Sequence, residues 1–173
     1  MPPTLSSTTL LRFLAVVCAG WTLAAGAASG TWTHVGGGSW TNAANWSGNV
    51  IADGSGNTAN FSTISLSADA TVTLDLARTI GNLIFDDQNP SKHNWFLNSG
   101  GSSVPLTLAG ATPTVTVNSA VTTVNIALGG GAGLTKAGPG KLTLSGPNTY
   151  TGNTTANAGI LALGTVTFYS SRM

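Results

Sequence analysis

The chain has 173 residues, of which only 6% are charged, with a formal net charge of +1 and no glutamate. So weak a field excludes steering toward nucleic acid or anionic lipid, and it leaves solubility to Thr, Ser, Asn and Gly. A single cysteine, Cys18, excludes a disulfide framework within the chain.

Met1–Arg12 is a polar leader with one positive charge, Phe13–Ala25 is apolar, and Ala25-Gly26-Ala27 offers small residues for cleavage. This pattern predicts a secretory signal peptide over 1–27, cut after Ala27. A membrane-spanning helix needs about 18 or more apolar residues, and Gly20 and Gly26 interrupt the run. Cys18 is preceded by Val17, where a lipoprotein cut requires a small residue. Export therefore removes the thiol, and with it disulfides, thiolate metal sites and a cysteine nucleophile. The remaining side chains sum to zero charge.

Residues 28–61 form a leading segment in which Trp32, Trp40 and Trp46 lie in a Gly/Asn/Ser background, ending in a strand at Asn57–Phe61. Asp53-Gly54-Ser55-Gly56-Asn57 begins like a calcium loop, but Ile64 stands where a bidentate acid is required, so a turn is expected. Coils are expected over 62–132. Thr71–Leu76 places Val72, Leu74 and Leu76 on one face, since alternate strand residues point to opposite sides. Thr79–Phe85 follows, with Ile80, Leu83 and Phe85 apolar. Residues 86–103 alternate poorly and read as a loop with a short strand at Trp95–Leu97. Alternation resumes at Pro105–Leu108, Thr114–Val117 and Thr123–Leu128, and Gly129–Gly133 reads as a flexible joint. No stripe of helical period appears after the leader, so the exported chain is predicted to be all-β.

Residues 133–164 contain three apolar-alternating runs, Gly133–Lys136, Lys141–Ser145 and Gly159–Leu163, separated by Gly/Pro/Asn turns. Such spacing describes strands stacked along a solenoid. The order G-L-T-K, L-T-L-S-G, N-T-Y-T-G and a final strand closely resembles the autotransporter-associated β-strand repeat. The leading segment, with G-x-W-x-x-x-x-N-W-x-x-G, is similar to the one that opens many secreted proteins carrying that repeat. The resemblance implies a right-handed parallel β-helix of about five to seven coils; an antiparallel β-sandwich of seven or more strands is the rival on strand count alone. It also implies an exported, surface or outer-membrane-associated passenger, with the periplasm as the other destination. The tail at 165–173 leaves the pattern where relatives add another coil, which suggests a truncated member with an exposed, self-associating coil end.

Little here points to chemistry. Asp86-Asp87 are adjacent, whereas paired catalytic carboxylates must face one bond about 5–9 Å apart; they read as solvated turn carboxylates. His34 and His93 show no metal-ligand or Ser-His-Asp spacing, although Asp86, Asp87 and Lys92 can form a local polar cluster with His93. No catalytic residue, metal or cofactor is assigned. Trp40, Trp46 and Trp95 are candidate glycan contacts, as aromatic platforms for sugar rings, but the tryptophans fit better as a plug over the open end of the coil column. The expected function is a non-catalytic scaffold or passenger with an adhesive role. The alternatives are a carbohydrate-binding module using exposed Trp and, below it, a β-helical polysaccharide-degrading enzyme. The expected partners are an extracellular glycan or surface, with no nucleic acid and no membrane span in the exported chain.

Overall fold

A computed structural model describes residues 26–101 and 103–164. The leader expected over 1–27 lies almost wholly outside the described residues, as does the tail from 165.

Fourteen short strands account for the fold. They are β1 (Gly30–Thr31), β2 (Gly37–Ser39), β3 (Gly54–Phe61), β4 (Ala70–Leu74), β5 (Arg78–Phe85), β6 (Trp95–Ser99) and β7 (Leu106–Leu108). They continue with β8 (Thr114–Val117), β9 (Val121–Val124), β10 (Leu128–Gly129), β11 (Leu134–Ala137), β12 (Lys141–Leu144), β13 (Thr154–Ala156) and β14 (Ile160–Leu163). The helical content among the described residues is two 3-10 turns, Ala43–Asn45 and Ser47–Asn49.

One sheet runs β1-β3-β5-β8-β11-β13, with β7 and β10 joined beside the start of β5; the other runs β2-β4-β6-β9-β12-β14. Every strand pair is parallel. A sandwich of antiparallel hairpins is thereby excluded, because parallel neighbours require the chain to travel round and return between them. The molecule is a parallel β-helix whose six strands on the second sheet mark six coils. No closed barrel forms among the described residues.

Alternation in the sequence sets which side chains enter the column. Thr-Val-Thr-Val in β8 buries Val115 and Val117 and turns Thr114 and Thr116 outward, as a strand period of two demands. Register then stacks like upon like: Val72 pairs with Leu97, Leu97 with Val124, and Val124 with Leu144. Between the sheets the turns also stack. A Cβ on Gly140 would lie 2.1 Å from the Ser119 carbonyl oxygen, and one on Gly159 (φ +69°) 2.4 Å from that of Gly140. Glycine is needed where one turn rests this closely on another.

Several boundaries differ from expectation. Leu76 lies beyond the end of β4 and is exposed rather than inward. The run expected over Thr123–Leu128 is two strands, β9 and β10, with a corner between them. Asp53–Asn57 is not an isolated turn: β3 starts at Gly54 and absorbs a register irregularity before Thr58. β6 reaches Ser99, two residues past the expected strand.

Candidate functional site

Six aromatic residues, Trp32, Trp40, Trp46, Phe61, Phe85 and Trp95, come together at the first three coils. Trp32 and Trp46 meet edge to face with centroids 5.1 Å apart, and Phe61 stacks on Phe85 at 4.9 Å and 6°. Trp95 joins from β6, 5.6 Å from Phe61. Among the described residues each indole N–H is satisfied within the protein: Trp32 donates to the His34 carbonyl, Trp40 to that of Ala52, Trp46 to that of Trp40 and Trp95 to that of Asp86. A buried indole is stable only with such a partner. Trp40 and Trp95 are 0% exposed and Trp46 is 2% exposed, so none of the three candidate glycan contacts presents a ring face to solvent. Asn45, buried beneath them, donates to the Ser39 carbonyl, and the antiparallel bridge of Trp32 with Trp46 folds the leading segment over the first coil.

A polar cluster occupies the excursion between β5 and β6. Asp87 is not a solvated turn residue but is 0% exposed. Its Oδ1 accepts from the backbone N–H of Leu66 (2.8 Å) and Asn89 (2.9 Å), and its Oδ2 from the backbone N–H (2.7 Å) and Nδ1 (2.9 Å) of His93. Burial pushes the Asp87 pKa up, yet these donors outweigh it and hold the carboxyl at about 2. Lys92 adds an ion pair to Asp86 (3.2 Å) and a bond to the Asp87 carbonyl. The adjacency of Asp86 and Asp87 sends their carboxylates to different partners, so they do not face one bond. Asp53 is similarly held: burial raises its pKa, but Arg78 at 2.8 Å and the N–H groups of Thr79 and Gly54 lower it overall. His34 lies in the first coil, with Nδ1 donating to the Gly37 carbonyl, remote from the His93 cluster in the coil order. No group of three or more metal-ligating side chains forms among the described residues.

The outward side chains of the second sheet are mostly uncharged, with Lys141 the exposed cation on β12. Register places Thr71, Phe96, Thr123 and Thr143 in one column, at the ~4.8 Å spacing of paired strands. Beside it Asn125 donates to the Asn98 amide oxygen at 2.7 Å. Phe96 is half-buried with one side of its strand position outward, between buried Trp95 and Leu97. The same parity rule that marked Trp95 and Leu97 as neighbours in a strand assigns Phe96 to the outside.

Residues 134–163 match the passenger-associated-transport-repeat family. They form β11 to β14, the fifth and sixth coils, in continuous register with the coils before them. The last two coils are therefore similar to a passenger-associated transport repeat. Over 106 residues it is 41% identical to the adhesin BmaC autotransporter of Brucella suis biovar 1 (strain 1330), a match covering 61% of this chain and 3% of that protein. The chain thus spans a small fraction of the relative's length. No solved structure matches.

Proposed function

We propose that this chain is a non-catalytic segment of an exported autotransporter passenger, working at the cell surface as a rigid β-helical spacer with an adhesive side. The observation that carries this reading is the continuity of the repeat with the column. The coils of residues 134–163 stack in register on the coils before them, as a passenger built from stacked units requires. The relative's description as an adhesin supports contact with another surface as the task. The polar groups support a scaffold too, since the Asp87 carboxylate is saturated by four donors of its own chain and is not free for general base work.

The adhesive side is the outer face of the second sheet, and its partner is a neutral glycan. Phe96 supplies an outward aromatic ring, and Asn98, Asn125, Thr71 and Thr123 surround it with uncharged donors and acceptors, the combination that orients a sugar ring over an apolar patch. The test is retention of the purified chain on an array of neutral and acidic glycans, beside Phe96→Ala and Phe96→Ala/Asn98→Ala variants. Retention on neutral glycans that falls at least tenfold in the variants, at unchanged melting temperature, supports the reading. Retention unaffected by both variants removes this face as the contact. No retention of the wild type leaves a spacer whose contacts lie elsewhere in the passenger.

A further inference from the structure

One charged side chain stands inside the column. Register stacks Ala59, Leu83, Val115, Lys136 and Ala156 as successive inward residues of the first sheet, and Lys136 is 0% exposed. A lysine in an aliphatic column is costly unless its charge is met by hydrogen-bond acceptors. No carboxylate among the described residues meets it. Its Nζ instead donates to three backbone carbonyls, those of Ala137 (2.7 Å), Gly138 (2.8 Å) and Ala158 (3.1 Å).

The chemistry of this cage is matched in number. An ammonium has three donors and no acceptor, and three carbonyl oxygens receive them. Two belong to the last residue of β11 and the glycine that follows it in the fifth coil, and the third to the turn between β13 and β14 in the sixth. These are the turns that glycine allows to lie against each other: a Cβ on Gly159 would stand 2.6 Å from the Gly138 carbonyl oxygen. Burial draws the Lys136 pKa down from the usual lysine value, while the three bonds favour the charged form. A guanidinium fork or a thioether cannot fill the same cage, the first because it is planar and larger and the second because it donates nothing.

We propose that the Lys136 ammonium is a coil-to-coil latch, a site for a primary ammonium built from the stacked turns at Ala137–Gly138 and Ala158, which fastens the sixth coil to the fifth. The preceding coils hold buried Ala59, Leu83 and Val115 at this position and are joined by backbone pairing and apolar contact, whereas Ala156 of the sixth coil is exposed. The latch is specific to the repeat: its lysine is the last residue of G-L-T-K, and its third acceptor is supplied by the next coil of the same repeat. Docking of that coil completes the cage, and a misplaced turn leaves one ammonium N–H buried without an acceptor. Lys136 thus acts as a positioning residue for the register of the following coil.

Two measurements on the full chain test this. In a nitrogen-15 spectrum tuned to lysine ammonium groups, Lys136 is expected to show an N–H₃⁺ signal whose hydrogens exchange at least tenfold more slowly than those of Lys92 and Lys141. Equal exchange at all three lysines overturns the cage. Hydrogen exchange followed by mass spectrometry on Lys136→Met is then expected to speed exchange of the Ile160–Leu163 amides by tenfold or more, with β8 and β9 unchanged. Molar methylammonium is expected to restore protection in Lys136→Ala, and tetramethylammonium, which donates nothing, is not. Unchanged exchange in the sixth coil, or an equal loss in every coil, overturns the latch, as does equal rescue by both cations.

Discussion

Replacing Asp87 by Asn tests whether the excursion between β5 and β6 is held by a buried carboxylate. The substitution keeps size and one acceptor oxygen, so the bonds from Leu66 and Asn89 to Oδ1 can persist. At Oδ2 it sets an NH₂ group against the backbone N–H and Nδ1 of His93, which donate to that oxygen at 2.7 and 2.9 Å in the native protein. Two donors left facing a donor cost about 1–3 kcal/mol each, so Asp87→Asn is expected to lose about 2–6 kcal/mol at neutral pH. The pH dependence follows from linkage. The folded pKa of about 2 lies below the ordinary 3.8, so the carboxylate's stabilisation is fully present above about pH 4 and is lost as pH falls toward about 2. At about 1.4 kcal/mol per pKa unit, this share is about 2 kcal/mol. Urea unfolding followed by tryptophan fluorescence, on wild type and variant at about pH 7 and about pH 2.5, measures the gap at both ends. Asp53 and Asp69 also have lowered pKa values and titrate nearby, so the informative quantity is the difference between the two proteins. A gap that narrows by about 2 kcal/mol supports the account; a gap of the same size at both pH values refutes the claim that ionised Asp87 anchors the loop.

Two further substitutions probe the column. Trp46→Ala opens a cavity beside Trp32, Trp40 and Phe61 and is expected to destabilise by about 3–5 kcal/mol, read by urea unfolding; a loss under about 1 kcal/mol would show that the leading segment does not share the column's stability. Thr122 points inward between Trp95 and Leu142 with its hydroxyl buried and without a partner. Thr122→Val replaces that hydroxyl with a methyl of the same shape and is expected to raise stability by about 1 kcal/mol, measured as a higher melting temperature; a fall would mean that the hydroxyl is bonded in solution.

Much of the column was legible because a parallel solenoid writes itself as alternation. Thr114–Val117 could be assigned residue by residue, and the repeat supplied the order of β11, β12 and β14. What escaped was decided by partners distant in sequence. The strand β13 reads Thr-Thr-Ala, a poor apolar signal, and exists because β11 offers it a paired edge. Asp87 passed for a turn carboxylate because burial came from Leu66, His93 and the excursion around it, none of which local pattern reveals. The spacing of three tryptophans among glycines already favours a plug over a platform, but it does not show that the indole N–H groups of Trp32, Trp40 and Trp46 find backbone partners inside. Lys136 carried a signal that alternation alone could have found: in Leu-Thr-Lys-Ala the lysine shares the parity of the buried leucine, which places a cation inside.

The stacked glycine turns divide the molecule into positions of unequal freedom. At Gly140 and Gly159 any side chain would strike the backbone of the adjoining turn, whereas outward residues such as Thr71, Phe96 and Thr143 meet one another across coils but do not enter the packed core. Sequence drift can therefore rewrite the outer face while the inner alternation and the turns stay as they are. A surface that must change its contacts, while its rod keeps the same thickness and pitch, has its variable positions already separated from its fixed ones.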